Sequence, residues 1–324
     1  MQVGAALREL FWAIESLTKD DAFTIATFLV AASVVGVIGL SAAVLYQGAT
    51  PALRQFGPSF YTGVDWNIQA NLFGTLPYIL GTLVTSLIAI IIGVPISLGI
   101  AIFLAEMAPD FVRVPISNVV ELLAAVPSIV YGLWGFYILR VWVANYVQGP
   151  IQANFGSVPI FAGVSYGSNI LTGGLILAIM IIPTVSSISK EVMMSVPNSQ
   201  REAAYSVGAT RWEVVHMGVL NYARSGIFGA AILGLGRAVG ETMAVTLVIG
   251  GATGALAIPT SLFQPGQTMT TILVNELSEA EPGSLHLSAL LGIGLVLFAF
   301  AFVINVAAQL LVWRVLKVKG GSVE

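Results

Sequence analysis

The hydrophobic positions of this chain fall in six long runs separated by polar or mixed stretches. They cover roughly 23–45, 76–105, 117–143, 170–189, 226–250 and 287–312. At 1.5 Å per residue, each is long enough to cross a hydrocarbon core of about 30 Å as a helix. Strands of a membrane barrel would be shorter and would alternate. Only helices and closed barrels satisfy their backbone in lipid, so the pattern predicts an all-α membrane protein with six transmembrane helices. Pro127 interrupts the third run and Pro183 lies within the fourth. The first run is longer than the apolar region of a cleaved signal peptide, about 7–15 residues. Ahead of it, Leu7, Leu10, Phe11, Ile14 and Leu17 recur at helical spacing among Arg8, Glu9, Glu15 and Lys19. That spacing predicts an amphipathic helix over residues 1–22, lying on the membrane face.

Composition agrees with this reading. The chain is 57% hydrophobic and 9% charged, against about 25% charged in a soluble domain. With no cysteine, disulfides, thiol chemistry and thiolate metal sites are excluded. His216 and His286 each lack a neighbouring ligand pattern, so neither is taken as a metal ligand. Of the 13 Lys and Arg residues, ten fall in stretches expected on one side, from Arg8 and Arg113 to Arg201, Arg211, Arg224 and Lys319. Arg54 and Arg140 fall on the other side. By the positive-inside rule both termini are cytoplasmic, and loops 47–75, 145–168 and 251–285 face out. The carboxylates Glu276, Glu279 and Glu281 are expected as a solvated outer loop. The organisation is then an N-terminal helix (1–22), a first transmembrane helix with its outer loop (23–75), one membrane domain (76–316) and a cytoplasmic tail (317–324).

Two stretches carry the candidate chemistry. The first is the cytoplasmic segment 196–225. Ser199 with Glu202, and Thr210 with Glu213, have the spacing of capping boxes. Gly208 lies between them, suited to end a helix in the left-handed region. Two short helices with a tight joint are expected, the first presenting Ala203, Ala204 and Val207. Such a helix can dock in a partner's groove or serve as a solvated connector.

The second stretch is Gly234–Val245, GLGRAVGETMAV, in the fifth run. Arg237 lies eleven residues past Gly226, about 16 Å into the span. A mid-span arginine costs at least about 2.5–3.5 kcal/mol, so it should face protein or a water-filled route. Glu241, four residues on, is expected on the same helical face as its counter-charge. Gly236 and Gly240 are expected to admit a neighbouring helix. A guanidinium fork matches a tetrahedral oxyanion. The alternative is an internal ion pair that fixes packing. Glu121 and Ser128 are further candidates for the pathway, against the plainer readings of an interfacial carboxylate and a bent packing helix. No phosphate-binding P-loop occurs, so any ATP hydrolysis belongs to another polypeptide.

Glu202-Ala203-Ala204-x-x-x-Gly208 resembles the EAA loop of ABC-transporter permeases, whose coupling helix docks on the ATP-hydrolysing subunit. Past it, Leu220 matches the family pattern, whereas Asn221 stands where that pattern has proline. GRAVGETMAVTLVIG, with ELLAAVPSIVYGLWG from Glu121 and LFQPGQTMTTILVNE from Leu262, is similar to permeases of the phosphate importers, nearer their C-type than their A-type subunit. The likeness spans roughly residues 70–316. It implies the type I ABC importer (MetI-like) fold and alternating access past Arg237. It also implies a sister A-type permease, a cytoplasmic ATPase dimer that uses ATP and Mg, and an extracytoplasmic phosphate-binding protein. No cofactor is expected on this chain, and no nucleic-acid partner. A permease for another oxyanion, and a channel or carrier working alone, are the competing functions.

Overall fold

The computed structural model describes residues 19–163 and 166–315. The expected N-terminal amphipathic helix and the 317–324 tail lie outside the described residues, apart from the first turn of α1. The chain divides into two compact units, residues 1–48 and 49–324. Helix α1 (Lys19–Phe56) runs through the boundary and carries Pro51 inside it, so the first span extends past its expected end at Leu45.

The second unit continues with a single turn, α2 (Ser59–Thr62), and a two-stranded antiparallel hairpin, β1 (Trp66–Asn67) and β2 (Leu72–Phe73), with Trp66 opposite Phe73. Helix α3 (Leu76–Ile102) then ends in a widened, π-helical turn over Phe103–Met107. Next come α4 (Asp110–Ala124) and α5 (Ser128–Phe155), bent by 92° at Pro127. Proline disfavours the helical region for the residue before it and has no N–H to give, so the helix stops and restarts. The position of that break was expected from sequence; its right angle was not. Helix α5 also outlasts its expected end at 143, through widened turns at Gly135–Leu139 and Val143–Gln148.

Helix α6 (Ile170–Met194) is the hub: 67% of its most apolar window is buried, against 28% for α3 and for the last helix. It is apolar nearly all round, which suits a helix enclosed by others. Asn169 caps its start, accepting from the Thr172 N–H at 2.9 Å. Around it pack α3, α5 and the segments after residue 221, through Ala89, Ile176, Met180, Ile181, Ala230 and Val248. Between helices in lipid this packing is held by van der Waals contact rather than by exclusion of water. Ser97 crosses from α3 to donate to the Ile182 carbonyl at 3.3 Å.

The chain turns at one end of the bundle through α7 (Asn198–Ser206) and α8 (Arg211–Glu213). A widened stretch, Val214–Leu220, leads directly into α9 (Asn221–Gly240) with helical backbone at the junction. Helix α10 (Met243–Val248) restarts after two non-helical residues. Helix α11 (Met269–Glu276) and the long α12 (Leu285–Val315) complete the fold. Among the described residues, four helices are individually long and apolar enough to span, and the bent α4–α5 pair supplies a fifth pass. The remaining expected span, the fifth, is α9 with α10, and it is not one helix.

Candidate functional site

Arg237 lies in the last turn of α9, and the helix ends at Gly240. Glu241 has extended backbone, φ −70° and ψ 133°. The two therefore do not share a helical face, and the expected pair is corrected. Among the described residues the ion pairs join Arg113 to Asp110, Lys190 to Glu121, Arg201 to Glu106 and His286 to Glu276, but not Arg237 to Glu241. Each charge instead complements one end of the break. A cation in the last turn of α9 meets the negative end of that helix, and a carboxylate just before α10 meets the positive end of the next. Glu241 Oε1 accepts from the Ala244 N–H at 3.4 Å. Its backbone carbonyl takes the Thr270 hydroxyl at 2.8 Å, which ties the break to α11.

Among the described residues the Arg237 guanidinium donates once, from Nη1 to Thr184 Oγ1 at 2.9 Å. It faces no carboxylate within ion-pair distance among the described residues, and it is only half-buried. Thr184 sits midway along α6, next to Pro183. Tyr131 of α5 lies within electrostatic reach of Arg237 and donates to the Leu123 carbonyl at 2.8 Å, bridging the Pro127 bend. Tyr131 also lines an apolar cavity of about 300 Å³ with Val130, Trp134 and Ile179. A guanidinium with one neutral hydroxyl as its hydrogen-bond partner and no carboxylate within reach among the described residues can accept an anion.

The other sequence candidates divide. Ser128 opens α5 and makes no hydrogen bond to Arg237 among the described residues; Tyr131, one turn on, feels the Arg237 charge. Glu121 lies near the end of α4 and pairs with Lys190 at 3.5 Å. Lys190 is not in a loop, as its neighbours in sequence suggested, but in α6, and it is buried. Gly236 and Gly240 were expected to admit a helix. Within this chain nothing lies within 4 Å of a Cβ built at either, so that face is open. The buried glycine of the motif is Gly234, set against Val185 and Ile181.

At the turn end, α7 carries Glu202 and Ala203 exposed and Ala204 half-buried. Ala204 faces Gly218 on the widened stretch. Gly208 has φ +83°, the left-handed joint expected of it. The second capping box is formed: the Thr210 N–H and hydroxyl both donate to Glu213 Oε2, at 2.7 and 2.8 Å. Those bonds hold the Glu213 carboxyl below its ordinary range. The first box is not formed, because Pro197 rather than Ser199 occupies the cap position of α7. Arg201, read from sequence only as one of the basic residues that set orientation, fastens α7 to the bundle. It pairs with Glu106 (Nη2–Oε1 2.7 Å) and donates to the carbonyls of Val196 and Met193 at 2.6 and 3.0 Å. Around this framework Tyr205, Val207, Trp212 and Met217 stand exposed.

A second missed cluster closes the opposite end. Trp66 Nε1 donates to Glu276 Oε2 at 2.8 Å, and His286 Nε2 meets the same oxygen at 2.8 Å. The His286 ring stacks on Phe73, centroids 5.6 Å apart. Glu276, its side chain 12% exposed, is thus a largely enclosed anchor, not a solvated loop carboxylate.

Residues 97–317 match the family described as the binding-protein-dependent transport system inner membrane component. The chain belongs to that family of permeases. It is 45% identical over 300 residues to the phosphate transport system permease protein PstC of Mesorhizobium japonicum, covering 91% of this chain and 90% of that one. It is 42% identical over 280 residues to the PstC protein of Pasteurella multocida, covering 85% and 86%. A permease chain in a bacterial alginate ABC transporter structure superposes with a TM-score of 0.57 at 17% identity, covering 90% of this chain and 96% of that one. The last likeness confirms the type I importer fold. As a family member the chain is a multi-pass membrane permease of an ABC importer, whose hydrolysing subunit is a separate polypeptide and whose ligand is handed over by a binding protein.

Proposed function

We propose that this chain forms one half of the membrane pathway of an ATP-driven importer of inorganic phosphate. The observation that carries the reading is Arg237, a half-buried guanidinium in the last turn of α9 with one neutral hydroxyl partner and no counter-ion within reach among the described residues. Its planar donors fit two oxygens of a tetrahedral anion. The curated relatives at 42–45% identity, named for phosphate transport, support phosphate as that anion. Glu241, across the break, bounds the site with negative charge so that the anion is released rather than retained.

The partners follow from the same reading. The open Gly236–Gly240 face of α9 receives a sister permease of the A type. Helix α7, with exposed Glu202 and Ala203, docks in a groove of a cytoplasmic ATPase dimer that binds ATP and Mg. This sets the α7 end, with Arg113, Arg201 and Arg211, in the cytoplasm. The opposite end receives an extracytoplasmic phosphate-binding protein.

The test is uptake of radiolabelled phosphate by the reconstituted importer, with sulfate as competitor, in the parent and in Arg237→Gln. Phosphate uptake resistant to sulfate and lost in the variant, with basal ATPase activity kept, supports the reading. Equal competition by sulfate overturns phosphate as the substrate, and normal uptake in the variant overturns Arg237 as its contact.

A further inference from the structure

Arg140, at the other end of the bundle, has no ion-pair partner among the described residues. Arg140 lies on α5, among the exposed aromatics Tyr137, Trp142 and Tyr146. Such aromatics collect where membrane meets water, which places Arg140 at that boundary. Its guanidinium stacks on the Phe136 ring, 3.8 Å from the centroid. Stacking occupies one face of the plane and leaves the in-plane donors free. Their single partner among the described residues is Ser168 Oγ, a long 3.5 Å from Nη1, and no carboxylate pairs with Arg140.

The surroundings are held rigidly. The turn before α6 lies directly on α5: a Cβ at Gly167, φ +73°, would fall on the Arg140 carbonyl oxygen. The Thr172 hydroxyl holds the Gly167 carbonyl at 2.6 Å. Buried Asn169 donates to buried Gln148 of α5 at 3.2 Å. Between Arg140, Ser168 and Gly250 a cavity of about 440 Å³ opens, roomy enough for a hydrated oxyanion. From Ile170 to Thr184, the partner of Arg237, is 14 residues of α6, about 21 Å.

We propose that Arg140 and Ser168 form a second site for a phosphate group, at the end of the bundle opposite α7. The guanidinium edge takes two oxygens and the Ser168 hydroxyl donates to a third. Two sources of that group fit the chemistry: free phosphate released toward Arg237, and the headgroup of a phospholipid. The inference rests on the importer reading above.

The experiment uses the complete importer in vesicles, with Arg140→Gln and Arg140→Lys beside Arg237→Gln. Three readouts are taken: protein level, ATP hydrolysed per phosphate imported, and phospholipid retained by the purified complex in native mass spectrometry. A free-phosphate site predicts that Arg140→Gln hydrolyses ATP normally but imports at least five-fold less phosphate per ATP, with Arg140→Lys recovering part of the loss. A headgroup site predicts unchanged stoichiometry and fewer retained phospholipids. Unchanged stoichiometry and lipid in Arg140→Gln overturn the proposal, as does a fall in protein level alone. Arg237→Gln separates the two readings. If it stops uptake while Arg140→Gln matches the parent, only the second site fails; if the parent imports no phosphate, the importer reading fails.

Discussion

Arg237 and Glu241 are four residues apart and face different helices. Arg237 closes α9 with its guanidinium on Thr184, and Glu241 opens α10 with its carboxylate on the Ala244 N–H. Two charges that would sit one above the other in a continuous helix are separated by the break at Gly240. A buried ion pair would make the double neutral variant better than either single one. This geometry predicts the contrary. In the cycle Arg237→Gln, Glu241→Gln and both, protein level should fall additively, within about 0.5 kcal/mol if read as stability. Uptake should be lost in Arg237→Gln and in the double variant. Restored uptake in the double variant would sink this account.

Thr184 is expected to position Arg237 rather than to bind the anion alone. Thr184→Val keeps the shape and removes one hydrogen bond to a charged group, worth about 1.5–3 kcal/mol. Uptake should drop by roughly ten-fold, with Thr184→Ser recovering most of it. Equal loss in the serine variant would mean that packing, not the hydroxyl, matters.

The Arg201–Glu106 pair is largely buried, with side chains 18% and 10% exposed. Removing one partner strands the other, at about 3 kcal/mol. Glu106→Gln should lower the melting temperature of the detergent-solubilised protein by several degrees and reduce uptake while leaving α9 in place. An unchanged melting temperature would show that the carbonyls of Val196 and Met193 suffice to hold Arg201.

At Gly208 nothing lies within 4 Å of a built Cβ, so the cost of a side chain is backbone alone. Gly208→Ala should destabilise the α7–α8 joint by about 1 kcal/mol or more, and Gly208→Asn by less. Their ATP-driven uptake should rank in the same order, glycine first. Alanine matching glycine in uptake would make the joint irrelevant to coupling.

The Thr210–Glu213 box should be sensitive to acid. The folded Glu213 carboxyl titrates below its ordinary value of 4.5. The cap is therefore complete above that value and is lost as pH falls through the lower, folded one. Fluorescence of exposed Trp212 should report the loss on acidification, and Glu213→Gln should abolish that step. A transition that persists in the variant would assign it to another carboxylate.

What the sequence revealed depends on how local each feature is. The apolar runs, the stop at Pro127, the joint at Gly208 and the Thr210–Glu213 cap are set by neighbours within a few positions, and they were legible. The break at Glu241 was not. Gly240 precedes it, but that glycine reads as part of a packing face, no proline marks the break, and it is held by Thr270, 29 residues away. Lys190 looked like a loop cation because the fourth apolar run ends at residue 189; its partner Glu121 lies in another helix. Gly236 and Gly240 have the spacing of a packing face, but spacing does not say whether the partner helix belongs to the same chain. The anchoring role of Arg201 escaped notice because its partner Glu106 lies 95 positions earlier.

The meeting of Trp66 with Glu276 sets an order on how the protein is made. The two are 210 positions apart, and His286, which shares the carboxylate, comes later still. At about 5–20 residues per second, the ribosome needs roughly 10–40 s to bridge that gap. Until then the hairpin that presents Trp66 has no carboxylate to hold. That end of the molecule is therefore the last to lock, and a chain truncated before α12 would keep Trp66 and Glu276 but lack His286, the second partner of that carboxylate.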